Sequence, residues 1–212
     1  MARPKSDDKR NAILAAAVQV FAEEGLAAPT ARIAKVAGVA EGTLFTYFST
    51  KDELFNRLYV LLKGELRDVV THSNPKDDLL KNHLRHAWNG YIHWGLKHPQ
   101  KRRVIAQLGV SDRITEQSRA ELANAFADFN QMLKGGIADG VLRDHPPSFA
   151  PAIMASLAET TMDFMARNKK QAGTYLDAGF EAYWNAIACP DRAAIVAPNP
   201  PAPAKRTRGV KK

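Results

Sequence analysis

The chain has 212 residues, 45% of them hydrophobic and 25% charged, enough for one large or two small domains with a real core. Its net charge of +8 points to a polyanionic partner. However, six basic residues (Arg192, Lys205, Arg206, Arg208, Lys211, Lys212) lie beyond Pro190 against the single acid Asp191, so the rest of the chain is only mildly basic. The lone Cys189 excludes an intrachain disulfide and suits a reducing compartment, and neither a secretory signal nor a run of roughly 18 apolar residues occurs; the expectation is a soluble cytoplasmic protein with no membrane partner.

Residues 1–5 read as a flexible arm. Ser6 with Asp7 and Asp8 starts a helix over about 6–24, marked by Ile13, Leu14, Ala17, Val18 and Phe21 and stopped by Gly25. The stretch 29–53, PTARIAKVAGVAEGTLFTYFSTKDE, then packs two short helices, about 29–37 and 41–47, around Gly38-Val39. Pro29 suits a first helical turn and Gly38 a left-handed stop. Thr50 and Glu53 form a capping-box pattern for a long helix over about 51–72, with Leu54, Phe55, Leu58, Leu61, Leu62 and Leu66.

Further helices are expected over about 75–97 (opened by Asn74-Pro75), 100–109, 113–139, 148–168 and 173–188. Gly135-Gly136 weakens the end of the helix over 113–139 by about 1 kcal/mol per glycine, which close packing against another helix would explain. The segment 190–212 is proline-rich, basic and without apolar period, and is expected to be disordered. Alternating strand patterns are absent, so the fold class is all-α with about nine helices.

Short helix, glycine turn, short helix is the layout of a helix-turn-helix, whose second helix enters the major groove of double-stranded DNA. Gly42 removes a side chain at the point of entry, and Glu41, Thr43, Phe45 and Thr46 lie on the reading helix. Thr30, Arg32, Tyr47 and Lys51 are placed to hold phosphates, while Leu44 and Phe48 face the core.

Ile33-Ala34, Ala37-Gly38-Val39, Gly42-Thr43-Leu44-Phe45, Tyr47-Phe48 and Lys51 to Leu54 resemble the DNA-binding signature of the TetR family of bacterial regulators, over about residues 10–60. Three positions depart from that pattern. Ala40 stands where serine is frequent, Phe45 where tyrosine is commoner, and Ala28 where threonine often opens the helix.

The resemblance implies a helix-turn-helix domain over 6–50 and an all-helical ligand-binding and dimerisation domain over 51–189. In that domain the last two helices pair with their copies in a homodimer. The local sequence agrees at Ile153, Leu157, Phe164, Phe180, Tyr183, Trp184 and Ile187. An effector pocket would draw on Trp88, Tyr91, Trp94, Phe126, Phe129, Met132, Met162 and Met165, although such stripes at helical spacing also serve as plain core. With no clustered charge evident, a hydrophobic or aromatic small molecule is the expected effector.

His83 and His86 share a helix face without a third ligand in register, so no metal is expected. No nucleophile motif or phosphate loop is present, so neither a cofactor nor enzymatic activity is expected. The reading is a ligand-responsive homodimeric transcriptional regulator, a repressor on a palindromic operator. The alternative is a DNA-associated factor without small-molecule control.

Overall fold

Local signals set the limits of the first four helices. In the computed structural model, which describes residues 5–71, 79–146 and 149–190 (the first two by backbone alone), α1 spans Lys5–Glu24 and buries Ile13, Leu14, Ala17, Val18 and Phe21. α2 (Thr30–Ala37) follows an extended Pro29 and ends at Gly38, whose φ of 69° is the left-handed conformation glycine adopts without steric cost. α3 spans Glu41–Tyr47 and α4 Lys51–Thr71.

The start of α4 is double-capped. The Thr50 hydroxyl accepts the Glu53 backbone N–H at 3.0 Å, and the Glu53 carboxylate accepts the Ser49 N–H and hydroxyl at 2.8 and 2.7 Å. The reciprocal half of the box therefore falls on Ser49, one residue before the cap itself.

The remaining helices are α5 (Leu80–Lys97), α6 (Pro99–Gly109), α7 (Glu116–Ala125), α8 (Ala127–Ala138), α9 (Phe149–Arg167) and α10 (Ala172–Ile187), with a 3-10 turn at Lys169–Gln171. The single helix expected over 113–139 is two helices. At Phe126 the backbone opens to φ −104°, ψ 17°, and its N–H still bonds back to the Leu122 carbonyl at 3.0 Å. α7 runs along α4, whereas Phe129, Leu133 and Ile137 of α8 pack on the core formed with α9 and α10. One straight helix would not follow both surfaces. α1 begins at Lys5, one residue before the expected start, so the backbone of Ser6 lies within the helix; the side chain of Ser6, the expected start of α5 at Asn74-Pro75, residues 1–4 and the tail beyond Pro190 lie outside the described residues.

Two cores result. The first joins α1–α4 to α6 through Phe21, Leu44, Phe48, Phe55, Val104 and Leu108. The second centres on Trp88 of α5, which stacks on Tyr183 at 5.7 Å and meets Phe180 edge-on at 6.5 Å. Gly136 allows a close approach, since a Cβ there would lie 2.4 Å from Leu80 Cδ2 and 3.2 Å from Leu142; beside Gly135 there is open space. Leu142 pairs with Ala188 in an isolated antiparallel bridge, flanked by Arg143 N–H to Ile187 O and Cys189 N–H to Val141 O, which fastens the end of α10 to the α8–α9 connection.

Candidate nucleic-acid interface and the cavity behind it

The helix-turn-helix is held from inside by Leu44 and Phe48, both buried, and by Val39 packed partly against the same core. This leaves Glu41, Gly42, Phe45 and Thr46 on the outer face of α3, with Thr43 and Tyr47 half-buried at its margins. Phe45 is 42% exposed. Beside Gly42 there is open space, and the Thr46 hydroxyl donates to its carbonyl at 3.1 Å. No side-chain cap precedes α3, because Ala40 carries no hydroxyl.

The expected phosphate-holding residues also tie the unit together. The Thr30 hydroxyl donates to Glu41 at 2.7 Å, pinning the start of α2 to the start of α3. Arg32 Nε donates to Glu24 of α1 at 2.8 Å. The Lys51 ammonium donates to the Ala28 carbonyl at 2.7 Å and lies 5.5 Å from the Phe55 ring and 5.9 Å from the Phe21 ring. Burial, then the charge of Arg113, holds its pKa below the ordinary lysine range. Arg10 is an addition that periodicity did not single out: its guanidinium lies 5.8 Å from the Phe48 ring, beside the reading helix.

Behind this head, α4 is fastened to the α6–α7 connection. Buried Asn56 bonds to Arg113 and Thr115, Arg113 pairs with Asp52, and Arg103 of α6 donates to the Ala22 carbonyl of α1 at 2.9 Å.

A cavity of about 510 Å³ opens between α4, α7, α8, α9 and α10, within the range of small-molecule sites. Phe126 and Phe129 line it, and Met132 lines the two neighbouring clefts. The other expected pocket residues are elsewhere: Trp88, Trp94, Met162 and Met165 are buried in the two cores, and Tyr91 is half-buried between them. Bulky side chains on the inner faces of α5 and α9 are consumed by packing against α4, α6 and α10. The wall instead includes Tyr59, Lys63, Arg119, Leu122, Asn130, Leu133, Ile137, Arg143, His145, Met154 and Tyr183. Positive charge thus does cluster here, contrary to expectation, drawn from three separate stretches of chain.

The expected dimer contacts divide in the same way. Ile153 and Leu157 are half-buried and Phe164 is 48% exposed, whereas Phe180, Tyr183, Trp184 and Ile187 are buried inside their own chain. The exposed positions of α9 and α10 include Ala152, Ala155, Ala178 and Ala182 as well as Phe164. Among the described residues no three His, Cys, Asp or Glu side chains are grouped to hold a metal, and no helix is long and apolar enough to cross a membrane.

Residues 13–58 match the profile of the bacterial regulatory proteins of the tetR family. The chain is similar to the uncharacterized HTH-type transcriptional regulator YhgD of Bacillus subtilis, 24% identical over 159 residues that cover 72% of this chain and 81% of that one. It is also similar to the fatty acid metabolism regulator protein of the same organism, 29% identical over 135 residues, covering 62% and 65%. Its fold matches the crystal structure of a TetR family transcription regulator from Marinobacter aquaeolei VT8 with a TM-score of 0.78 at 23% identity, covering 88% of this chain and 99% of that chain.

Proposed function

Because the chain belongs to the TetR family of bacterial regulatory proteins, we propose that it is a homodimeric, cytoplasmic repressor that leaves a palindromic operator when a small molecule with an apolar body enters the cavity. One observation carries this reading: α4 belongs to both sites. Its first turn holds Lys51 against the DNA-reading unit, and farther along the same helix Tyr59 and Lys63 line the cavity. Lys51 and Lys63 are separated by about 18 Å of continuous helix, so a ligand that shifts the cavity end of α4 also moves the reading head. Release then follows from differential affinity of the ligand for the two head spacings.

In this reading Thr43, Phe45 and Thr46 reach base edges from α3, with Gly42 allowing close approach, while Glu41 stays at the α2–α3 seam with Thr30. Tyr47, Arg32, Thr30 and Lys51 hold the flanking phosphates. The outer faces of α9 and α10 pair across the dimer axis, setting two heads roughly 34 Å apart, one turn of DNA. The name of the 29% identical relative, a fatty acid metabolism regulator, agrees with an apolar effector. A DNA-associated factor without small-molecule control would call for a fully packed second domain, and the cavity counts against that alternative.

The test is selection of an operator from random duplex DNA, followed by mobility-shift titration with and without candidate apolar effectors. A palindromic site bound by two chains and released by a cavity-binding compound is expected. Compounds that bind the cavity and leave operator affinity unchanged would refute release.

A further inference from the structure

Among the described residues the cavity wall contains Lys63, Arg119, Arg143 and His145 and no aspartate or glutamate. Three of these side chains reach backbone carbonyls. Arg119 donates to the Ser111 carbonyl at 3.3 Å and faces Glu116 at 3.9 Å; Arg143 Nε donates to the Ala188 carbonyl at 2.8 Å; and a His145 ring nitrogen lies 3.1 Å from the Ala186 carbonyl. The Lys63 ammonium has no acceptor among the described residues. It lies 5.9 Å from the centre of the Tyr59 ring.

An ammonium withdrawn from water without a counter-ion is unfavourable, and burial alone pushes the Lys63 pKa down. The same wall includes Tyr59 and Tyr183, whose hydroxyls make no hydrogen bond among the described residues. Burial keeps both protonated as donors, with Tyr183 pushed up to about 12. An ammonium with no acceptor among the described residues, two tyrosines on the same wall and a lining of leucine and phenylalanine are complementary to a negative charge on an apolar body.

We propose that the cavity takes an apolar carboxylate, with its head on the Lys63 ammonium and the Tyr59 and Tyr183 hydroxyls and its tail against Leu122, Phe129 and Leu133. This rests on the reading of the cavity as the effector site and adds the charge of the effector and the residue that recognises it. One carboxylate head matches the Lys63 ammonium, the cation of this wall that has no acceptor among the described residues, while Arg119 and Arg143 each hold a backbone carbonyl.

Calorimetric titration of the full-length protein with dodecanoate and with dodecan-1-ol tests the assignment. Dodecanoate is expected to bind at least about tenfold tighter, the worth of one charge-assisted hydrogen bond. Lys63→Met should erase that preference while leaving dodecanol affinity unchanged, and Lys63→Arg should retain it. Equal binding of the two probes, a preference that survives Lys63→Met, or no dodecanoate binding at all overturns the assignment. Operator release in the same samples separates the two readings. Dodecanol releasing DNA as well as dodecanoate does keeps the ligand-released repressor and overturns the carboxylate. Lys63-dependent dodecanoate binding without release keeps the carboxylate and overturns the repressor mechanism.

Discussion

Asn56 of α4 and Thr115 at the start of α7 are bonded twice: the Asn56 Oδ1 accepts the Thr115 backbone N–H at 2.9 Å and its hydroxyl at 3.1 Å. The other end of the same amide donates to the Asp52 carbonyl at 2.8 Å and the Arg113 carbonyl at 3.0 Å. A buried side chain thereby satisfies backbone groups on α4 and on the α6–α7 connection together. Asn56→Ala leaves the Arg113 carbonyl and Thr115 N–H without these partners and is expected to cost about 2–4 kcal/mol, lowering the Tm by roughly 5–10 °C. Thermal unfolding followed by circular dichroism checks this, and an unchanged Tm would show the latch to be energetically idle.

Lys51 holds the Ala28 carbonyl in the free protein, so Lys51→Met should lose about 1–2 kcal/mol of stability from that charge-assisted bond. If the same residue also neutralises a phosphate, the slope of log affinity against log salt falls by about one. Mobility-shift titrations at several salt concentrations measure it. A stability loss with an unchanged slope restricts Lys51 to holding the head together.

Glu53 gives the start of α4 a pH dependence. The Ser49 hydroxyl and then the Ser49 backbone N–H hold its carboxylate below the ordinary value of 4.5. A depressed folded pKa means that its stabilisation is complete above the ordinary carboxylate range and is lost as pH falls through the lowered value. Glu53→Gln should therefore flatten the acid limb of the stability–pH curve while changing little of its shape near neutrality. Urea unfolding at a series of pH values decides this, and parallel acid limbs for parent and variant would remove Glu53 from the account.

The outer face of α10 separates assembly from folding. Ala182 is exposed, whereas Phe180 and Ile187 are buried in the chain's own second core. If this face pairs with its copy as proposed, Ala182→Arg is expected to give a folded monomer by light scattering with undiminished helicity, because a bulky charge there forces the two copies apart. Phe180→Ala should instead unfold the domain, at a cost of about 3–5 kcal/mol. An Ala182→Arg protein that stays dimeric would move the interface away from this face.

The reading head was legible because its determinants are local. Proline before α2, glycine after it and the Thr50–Glu53 spacing act within one helical turn, and the residues that face outward on α3 follow from burying Leu44 and Phe48. The limits of α2 and α3 accordingly fall within a residue of those expected. The break at Phe126 was not legible, because it comes from the different surfaces that α7 and α8 follow and not from a proline or glycine in the chain.

The cavity was hidden for a stronger reason of the same kind. Helical periodicity tells which face of a helix is apolar but not which neighbour covers it. Trp88 and Met162 were indistinguishable from Phe129 until packing consumed the first two. Lys63, Arg119 and Arg143 lie far apart in sequence, and no local pattern marks them as one cluster. The sequence by itself carried the limits of α1–α4 to within about a residue and the helix-turn-helix layout whose residues 13–58 match the tetR family profile. Only tertiary structure decided which residues enclose the cavity, that Lys63 is among them with no acceptor in the described residues, and that Phe180, Tyr183, Trp184 and Ile187 are buried in their own chain. Those properties arise where several helices meet, and each helix encodes only its own face.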